Sequence, residues 1–97
     1  MKSPIRRLVL DVLKPIKGLS IVEIGREVAS LEGIEGVNVT VKEIDVDTMT
    51  LVVTVEGKNI DYEKLEERLE SLGCVIHSID QVVAGSKIVE EAKVRPE

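Results

Sequence analysis

One short stretch, CVIHSIDQVVAG (residues 74–85), contains the only cysteine and the only histidine of the chain, Cys74 and His77. A thiol nucleophile needs an activating base within hydrogen-bonding distance. In a regular β-strand, however, side chains three residues apart point to opposite faces and lie roughly 10 Å apart. The spacing therefore excludes a Cys–His dyad. We expect Cys74 to be a buried core residue, as free cysteines usually are. For His77 we expect a hydrogen-bonded position on the open sheet face or at a subunit interface, with a role as ligand or proton carrier as the alternative.

The run EIDVD places three carboxylates at alternate positions, Glu43, Asp45 and Asp47. Alternate residues of a regular strand lie on one side of it, and this run stands next to a predicted hairpin turn. Three hard oxygen donors that converge in this way suit Ca²⁺ or Mg²⁺. The run has neither the spacing of an EF-hand nor a glycine within it, so the alternative is a group of solvated carboxylates at a hairpin end.

Asp11 interrupts an otherwise apolar strand, on the same face as Arg7. An aspartate buried there without a partner would be costly. We expect either a bound cation or an ion pair, with Lys42 across the sheet or with a neighbouring subunit.

Asp80 is a further candidate ligand. Strict alternation along its strand places Asp80 and Ser78 on the face of Cys74, and Ile79 and Gln81 on the opposite face with His77.

Six elements must position these residues. Apolar residues at every second position predict strands, and apolar residues at three- and four-residue intervals predict helices. Ser20 with Glu23, and Asp61, predict helix starts, and Gly33 and Gly73 predict helix ends. The expected order is strand 5–14, helix 20–33, strand 36–47, strand 50–57, helix 61–73 and strand 74–83. A shift in the apolar phase predicts a bulge near Glu43, and Gly25 predicts close packing of helix on sheet.

This order predicts an α+β fold, the ferredoxin-like βαββαβ sandwich, in which a four-stranded antiparallel sheet carries both helices on one face. The opposite face is left open to solvent or to a partner. We expect one domain over residues 1–85, followed by a C-terminal extension, residues 86–97, that is a tail, a short helix or an added edge strand.

The composition narrows the classes of function. The net charge is −5, with +4 in the first 18 residues and −9 in the remainder, and there is one tyrosine but no phenylalanine or tryptophan. An acidic chain without aromatic stacking residues on its sheet is not expected to bind nucleic acid. A single cysteine cannot form an internal disulfide, and the sequence has no apolar run long enough to span a membrane. We therefore expect a soluble cytoplasmic protein. Abundant charged residues and few side-chain amides are typical of thermophiles.

Several segments together resemble an uncharacterised archaeal family, domain-of-unknown-function family 211. The resemblance covers about residues 5–85 and is carried by RRLVLDVLKP, SIVEIGREVASLEGIEGVNVTVKEIDVDT, VEG and above all VIHSIDQVVAG. It implies a ferredoxin-like fold, an archaeal origin, assembly into ring-like homo-oligomers and divalent cations such as calcium as ligands. It supplies no catalytic residues. The segment LEGIEGVNV also looks like the helix-to-strand junction of ACT-type regulatory domains.

Two hypotheses follow. The first is a non-enzymatic, self-assembling domain that binds divalent cations, Ca²⁺ or Mg²⁺, through the acidic residues Asp45, Asp47, Glu43, Asp11 and Asp80. The second is an effector-binding regulatory module with a small-molecule pocket near residues 33–36 and the open sheet face. An enzyme is not expected, because the sequence contains no nucleophile–base pair, phosphate loop or paired acid–base motif.

Overall fold

A computed structural model describes residues 2–93 of the chain. Four strands and two helices alternate in the expected order: β1 (Ile5–Pro15), α1 (Ile21–Ala29), β2 (Ile34–Ile44), β3 (Thr48–Gly57), α2 (Tyr62–Ser71) and β4 (Val75–Ala84). The strands form one antiparallel sheet in the order β2-β3-β1-β4. This is the ferredoxin-like α+β fold that the sequence predicts.

The core lies between the sheet and the two helices and is aliphatic. It takes alternate residues of the central strands and two residues from each helix. Its fully buried members are Leu8, Leu10, Val12, Ile24, Val28, Leu51, Val53, Val55, Ile60, Leu65, Leu69 and Cys74. Because these strand residues all have the same parity within their strand, they define the helix-covered face, and the residues between them define the open face.

The helices begin where the sequence predicts. The side chains of Ser20 and Asp61 accept hydrogen bonds from backbone N–H groups at the starts of α1 and α2. α2 ends just before Gly73, which has a φ of +85°. α1 ends at Ala29, earlier than predicted, because the chain leaves the helix through a turn to reach Gly33.

Gly33 and Gly57 meet where the loop before β2 passes the end of β3. A Cβ atom built on Gly57 would lie 1.9 Å from the carbonyl oxygen of Gly33, and one on Gly33 would lie 2.3 Å from that of Asn59. Gly33 also has a φ of +88°. Only glycines allow the two backbone segments to approach this closely.

The β2–β3 hairpin differs from the expectation in its length. The pairing of β2 with β3 skips Lys42, which confirms the bulge predicted near Glu43. β2 then ends at Ile44, so that residues 45–47 form the turn and β3 already begins at Thr48. The predicted strand 36–47 was therefore too long, since the turn takes its last three residues.

β4 contains two irregularities that change the direction of its side chains. Its pairing with β1 skips His77 and Asp80, so that Ser78 lies opposite Asp11 and Gln81 lies opposite Val9. Residues opposite each other in an antiparallel ladder share a face. Ser78 and Gln81 thus both lie on the open face, and the strict alternation predicted for this strand is wrong, because each extra residue reverses the phase.

Residues 86–93 form neither a helix nor a strand, and residues 94–97 of the predicted extension lie outside the described residues. Neither helix in the described part of the chain has the length and apolar character needed to cross a membrane.

Candidate functional site on the open face of the sheet

The face of the sheet opposite the helices carries the charged residues Arg7, Asp11 and Glu56. Strand pairing brings one row from each strand to this face. The row members are Asn38, Thr40 and Glu43 of β2, Thr50, Val52, Thr54 and Glu56 of β3, Arg7, Val9, Asp11 and Leu13 of β1, and Val75, Ser78, Gln81 and Val83 of β4. Charged residues therefore stand among hydroxyl, amide and aliphatic side chains on a surface that neither α1 nor α2 covers.

Asp11 stands at the centre of this surface, between Val52 of β3 and Ser78 of β4. Its side chain is half-buried, and its Oδ1 atom is buried without a hydrogen-bond partner in the described part of the chain. The ion pair expected with Lys42 does not form in one chain, because Lys42 is the exposed bulge residue of β2 and β3 separates the two strands. A buried carboxylate oxygen normally has a partner, so its lack of one needs a physical explanation.

Glu43, Asp45 and Asp47 are all exposed and are not held as three ligands on one side of a strand. Asp45 follows the end of β2, and its Oδ1 accepts a hydrogen bond of 2.8 Å from the backbone N–H of Val46. The backbone carbonyl of Asp47 accepts a hydrogen bond of 2.9 Å from Ile16. The expected convergence fails because the bulge and the early turn remove the regular alternation on which it depends.

Asp80 is exposed in the second bulge of β4. Its Oδ1 accepts a hydrogen bond of 2.8 Å from the hydroxyl of Ser78, the residue opposite Asp11. Within residues 2–93, no three Asp, Glu, His or Cys side chains lie close enough together to hold a metal ion. The cation site thus stays a prediction.

Cys74 is 1 % exposed and belongs to the aliphatic core, as predicted. Burial raises the pKa of its thiol, and the nearby ammonium of Lys14 opposes this shift only partly. His77 is exposed in the first bulge of β4. A buried thiol and an exposed imidazole do not form a catalytic pair.

Arg7 forms an ion-pair cluster that the sequence did not reveal. Its Nε lies 2.6 Å from a carboxylate oxygen of Glu56, directly opposite on β3. Its Nη1 and Nη2 atoms donate to the two carboxylate oxygens of Glu90, at 2.9 and 3.1 Å, and Nη1 also lies 3.4 Å from Oε1 of Gln81. The hydrogen bonds from Arg7 lower the pKa of Glu90, and the two carboxylates raise the pKa of Arg7.

A shallow depression of about 360 Å³ adjoins this cluster at the β2–β3 end of the open face. It is lined by Glu35, Gly36, Val37, Asn38, Thr54 and Glu56. Its two carboxylates, amide and hydroxyl could hold a small polar molecule, and its position overlaps the region expected for an effector pocket.

Comparison with known proteins places the chain in a family. The sequence model of domain-of-unknown-function family 211, described as an uncharacterised ArCR family, matches residues 6–97. An uncharacterised protein of the archaeon Methanocaldococcus jannaschii is 52 % identical over 89 residues, which cover 92 % of this chain and 91 % of that protein. The family match includes the open face and the C-terminal segment with Glu90. The chain therefore belongs to domain-of-unknown-function family 211.

Proposed function

We propose that the protein is a non-enzymatic, self-assembling domain that binds divalent cations through carboxylates brought together between copies. The observation that carries this proposal is the buried Oδ1 atom of Asp11, which has no hydrogen-bond partner among residues 2–93. Burying an anionic oxygen without compensation is unfavourable. A cation, or a donor from a second copy seated on the open face, would remove that cost.

The outer strand β4 supports the assembly part of the proposal. Three of its aliphatic side chains are substantially exposed: Val75 at 58 %, Ile79 at 47 % and Val82 at 55 %. An edge strand also presents unpaired backbone N–H and C=O groups to another chain. Contact with a second copy would bury aliphatic surface that one small domain leaves in water.

The acidic character of the chain supports the cation part. Its net charge is −5, and the exposed carboxylates of the β2–β3 turn and of Asp80 have the oxygen chemistry that Ca²⁺ and Mg²⁺ prefer. These groups are separated in one chain, so the proposal requires contacts between copies to complete a site.

Calorimetric titration with Ca²⁺ and with Mg²⁺, combined with sedimentation, tests the proposal. We expect binding heat, an assembly larger than a monomer, and a stabilisation of about 2.7 kcal/mol at a cation concentration a hundredfold above the dissociation constant. Asp11→Asn should lose this stabilisation, whereas Glu67→Gln, on the exposed side of α2, should keep it. A monomer that gives no binding heat with either ion would refute both parts.

A small-molecule effector module is the second candidate, favoured by the depression beside Glu56. It predicts that particular amino acids or nucleotides raise the unfolding temperature while divalent cations do not. Asn38→Ala, within the depression, should abolish that shift, and Asn59→Ala, outside it, should not. A metabolite screen without any shift would argue against this candidate.

We further propose a cytoplasmic location and a thermophilic host. The single cysteine, buried and free, supports a reducing compartment. The charge-rich composition supports heat resistance, which thermal unfolding of the purified protein would measure directly.

A further inference from the structure

Arg7 is the most constrained charged group on the open face. Its side chain is only 17 % exposed, although no helix covers this face. Nε of Arg7 donates a hydrogen bond to the carboxylate of Glu56. The opposite edge of the guanidinium, formed by Nη1 and Nη2, is left for another partner. That edge is a planar fork with the geometry to bind both oxygens of one carboxylate.

Glu90 fills the fork from within the same chain. Both of its oxygens receive hydrogen bonds from Arg7, one from each terminal nitrogen. The Glu90 side chain nevertheless remains 66 % exposed, and the residues on either side of it have no regular secondary structure. The arginine is thus fixed by the sheet, whereas its carboxylate partner is held mainly by the arginine.

A second arginine fixes the start of this segment. The chain reverses after β4 at Gly85, which has a φ of +108°, and Nη1 of Arg6 donates to the backbone carbonyls of Gly85 and Ser86 at 3.4 and 3.0 Å. Nε of Arg6 also donates to the carbonyl of Gly57, which ties the same side chain to the end of β3. The segment from residue 86 to residue 93, here named the strap, is therefore attached at its beginning and near its middle.

The strap reaches the open face at Arg7, through the side chain of Glu90. Val83 lies opposite Arg7 in the ladder and is only 6 % exposed, although it does not belong to the core between sheet and helices. Within the strap, Ile88 and Val89 remain 37 % and 67 % exposed. Most of the strap therefore lies in solvent.

We propose that Arg7, with Gln81 beside it, is a carboxylate-binding site, that Glu90 occupies this site in the resting chain, and that an external carboxylate displaces the strap. The inference does not depend on cation binding, because it uses the fork of an arginine and not the acidic residues. The external group is a carboxylate, either of a small molecule or of the strap of a second copy. Displacement frees the Nη1–Nη2 edge of Arg7 on the open face.

Titration with succinate, followed by NMR of the Arg7 and Gln81 side-chain N–H groups, tests the site. A competing internal group reduces the apparent affinity to the fraction of time that the site is free, so if Glu90 fills the site about nine-tenths of the time, Glu90→Gln should bind succinate about tenfold more tightly than the unmodified chain. Glu91→Gln removes a neighbouring exposed carboxylate that does not contact Arg7, and it should behave as the unmodified chain does. Arg7→Gln combined with Glu90→Gln should lose the binding.

Trypsin cleavage after Lys87 reports on the strap independently of any ligand. Glu90→Gln should be cleaved faster than Glu91→Gln at equal far-ultraviolet circular dichroism, which separates release of the strap from unfolding of the domain. Equal cleavage rates would overturn the assignment of Glu90 as the group that holds the strap.

A synthetic peptide of residues 86–97 distinguishes the two sources of the carboxylate. A response of Glu90→Gln to succinate assigns the site to small carboxylates, and a response to the peptide alone assigns it to the strap of a second copy. If neither succinate nor the peptide shifts the Arg7 and Gln81 signals, the carboxylate site does not exist.

Discussion

Replacing Gly57 by alanine tests the close approach of two backbone segments at the end of β3. The added Cβ would lie 1.9 Å from the carbonyl oxygen of Gly33, 2.9 Å from its carbonyl carbon and 3.0 Å from Cα of Ile34. All three are backbone atoms, so the clash cannot be relieved by rotating a side chain. Relief requires β3 and the loop before β2 to separate, which would also disturb the hydrogen bond from Arg6 to the Gly57 carbonyl.

We expect Gly57→Ala to lower the free energy of unfolding by about 2–3 kcal/mol, the upper range for overpacking. For a domain of this size the unfolding temperature should fall by roughly 10–20 °C. Gly36→Ala is the matched control, because an added Cβ there meets no atom within 4 Å. Its effect should stay within about 0.5 kcal/mol.

Urea denaturation followed by far-ultraviolet circular dichroism measures both variants. The chain contains no tryptophan, so the backbone signal is the appropriate probe. If Gly57→Ala loses no more stability than Gly36→Ala, the two backbone segments are not in contact and the explanation given for this glycine pair is wrong.

Three further outcomes follow from local geometry. Gly25→Ala should stabilise the protein by up to about 1 kcal/mol, because alanine favours helix and the new Cβ would make an ordinary contact with Val39 at 3.9 Å; urea denaturation measures this gain. Burial raises the pKa of Cys74, so a thiol reagent should label it at the rate of global unfolding, and labelling of the native protein would contradict this. The pKa of Glu90 is lowered by Arg7, so the strap contact is present above the ordinary glutamate range and is lost as pH falls through the lowered value. Trypsin cleavage after acid equilibration, or amide exchange of residues 86–93, should show the strap loosening on the acidic side.

Much of the fold could be predicted because local signals agree with the tertiary structure. In β1, alternate residues enter the core without interruption from Leu8 to Val12, and Asp61 and Gly73 limit α2. The length of the β2–β3 turn was harder to predict, because Val46 continues an apolar alternation although it is exposed in the turn. A pattern of residue types does not reveal whether an apolar side chain at a hairpin tip is buried.

The candidate site was predicted less completely. Asp11 was singled out because a carboxylate in an apolar strand is unusual, and its buried oxygen is the least satisfied group on the open face. The face of Ser78 was predicted wrongly because two bulges in β4 leave no clear mark in the sequence, whereas Gln81 lies on the open face as expected. The Arg7–Glu90 pair joins residues far apart in the chain, and only the reversal at Gly85 brings them together. A cross-strand charge pair such as Arg7 with Glu56 becomes visible only once the register is known.

The order of strands in the sheet has a consequence for synthesis of the chain. β1 is made first, yet it lies inside the sheet between β3 and β4. Its apolar residues have no partner strand until β3 has been synthesised. Its pairing with β4 cannot form until β4, which follows α2, has also been synthesised. Pairings between distant segments slow folding and leave unpaired strands exposed to association. β1 therefore lacks both of its partner strands while α1 and β2 are being synthesised. The positive charges near the beginning of β1, at Arg6 and Arg7, would oppose premature association of nascent chains through like-charge repulsion.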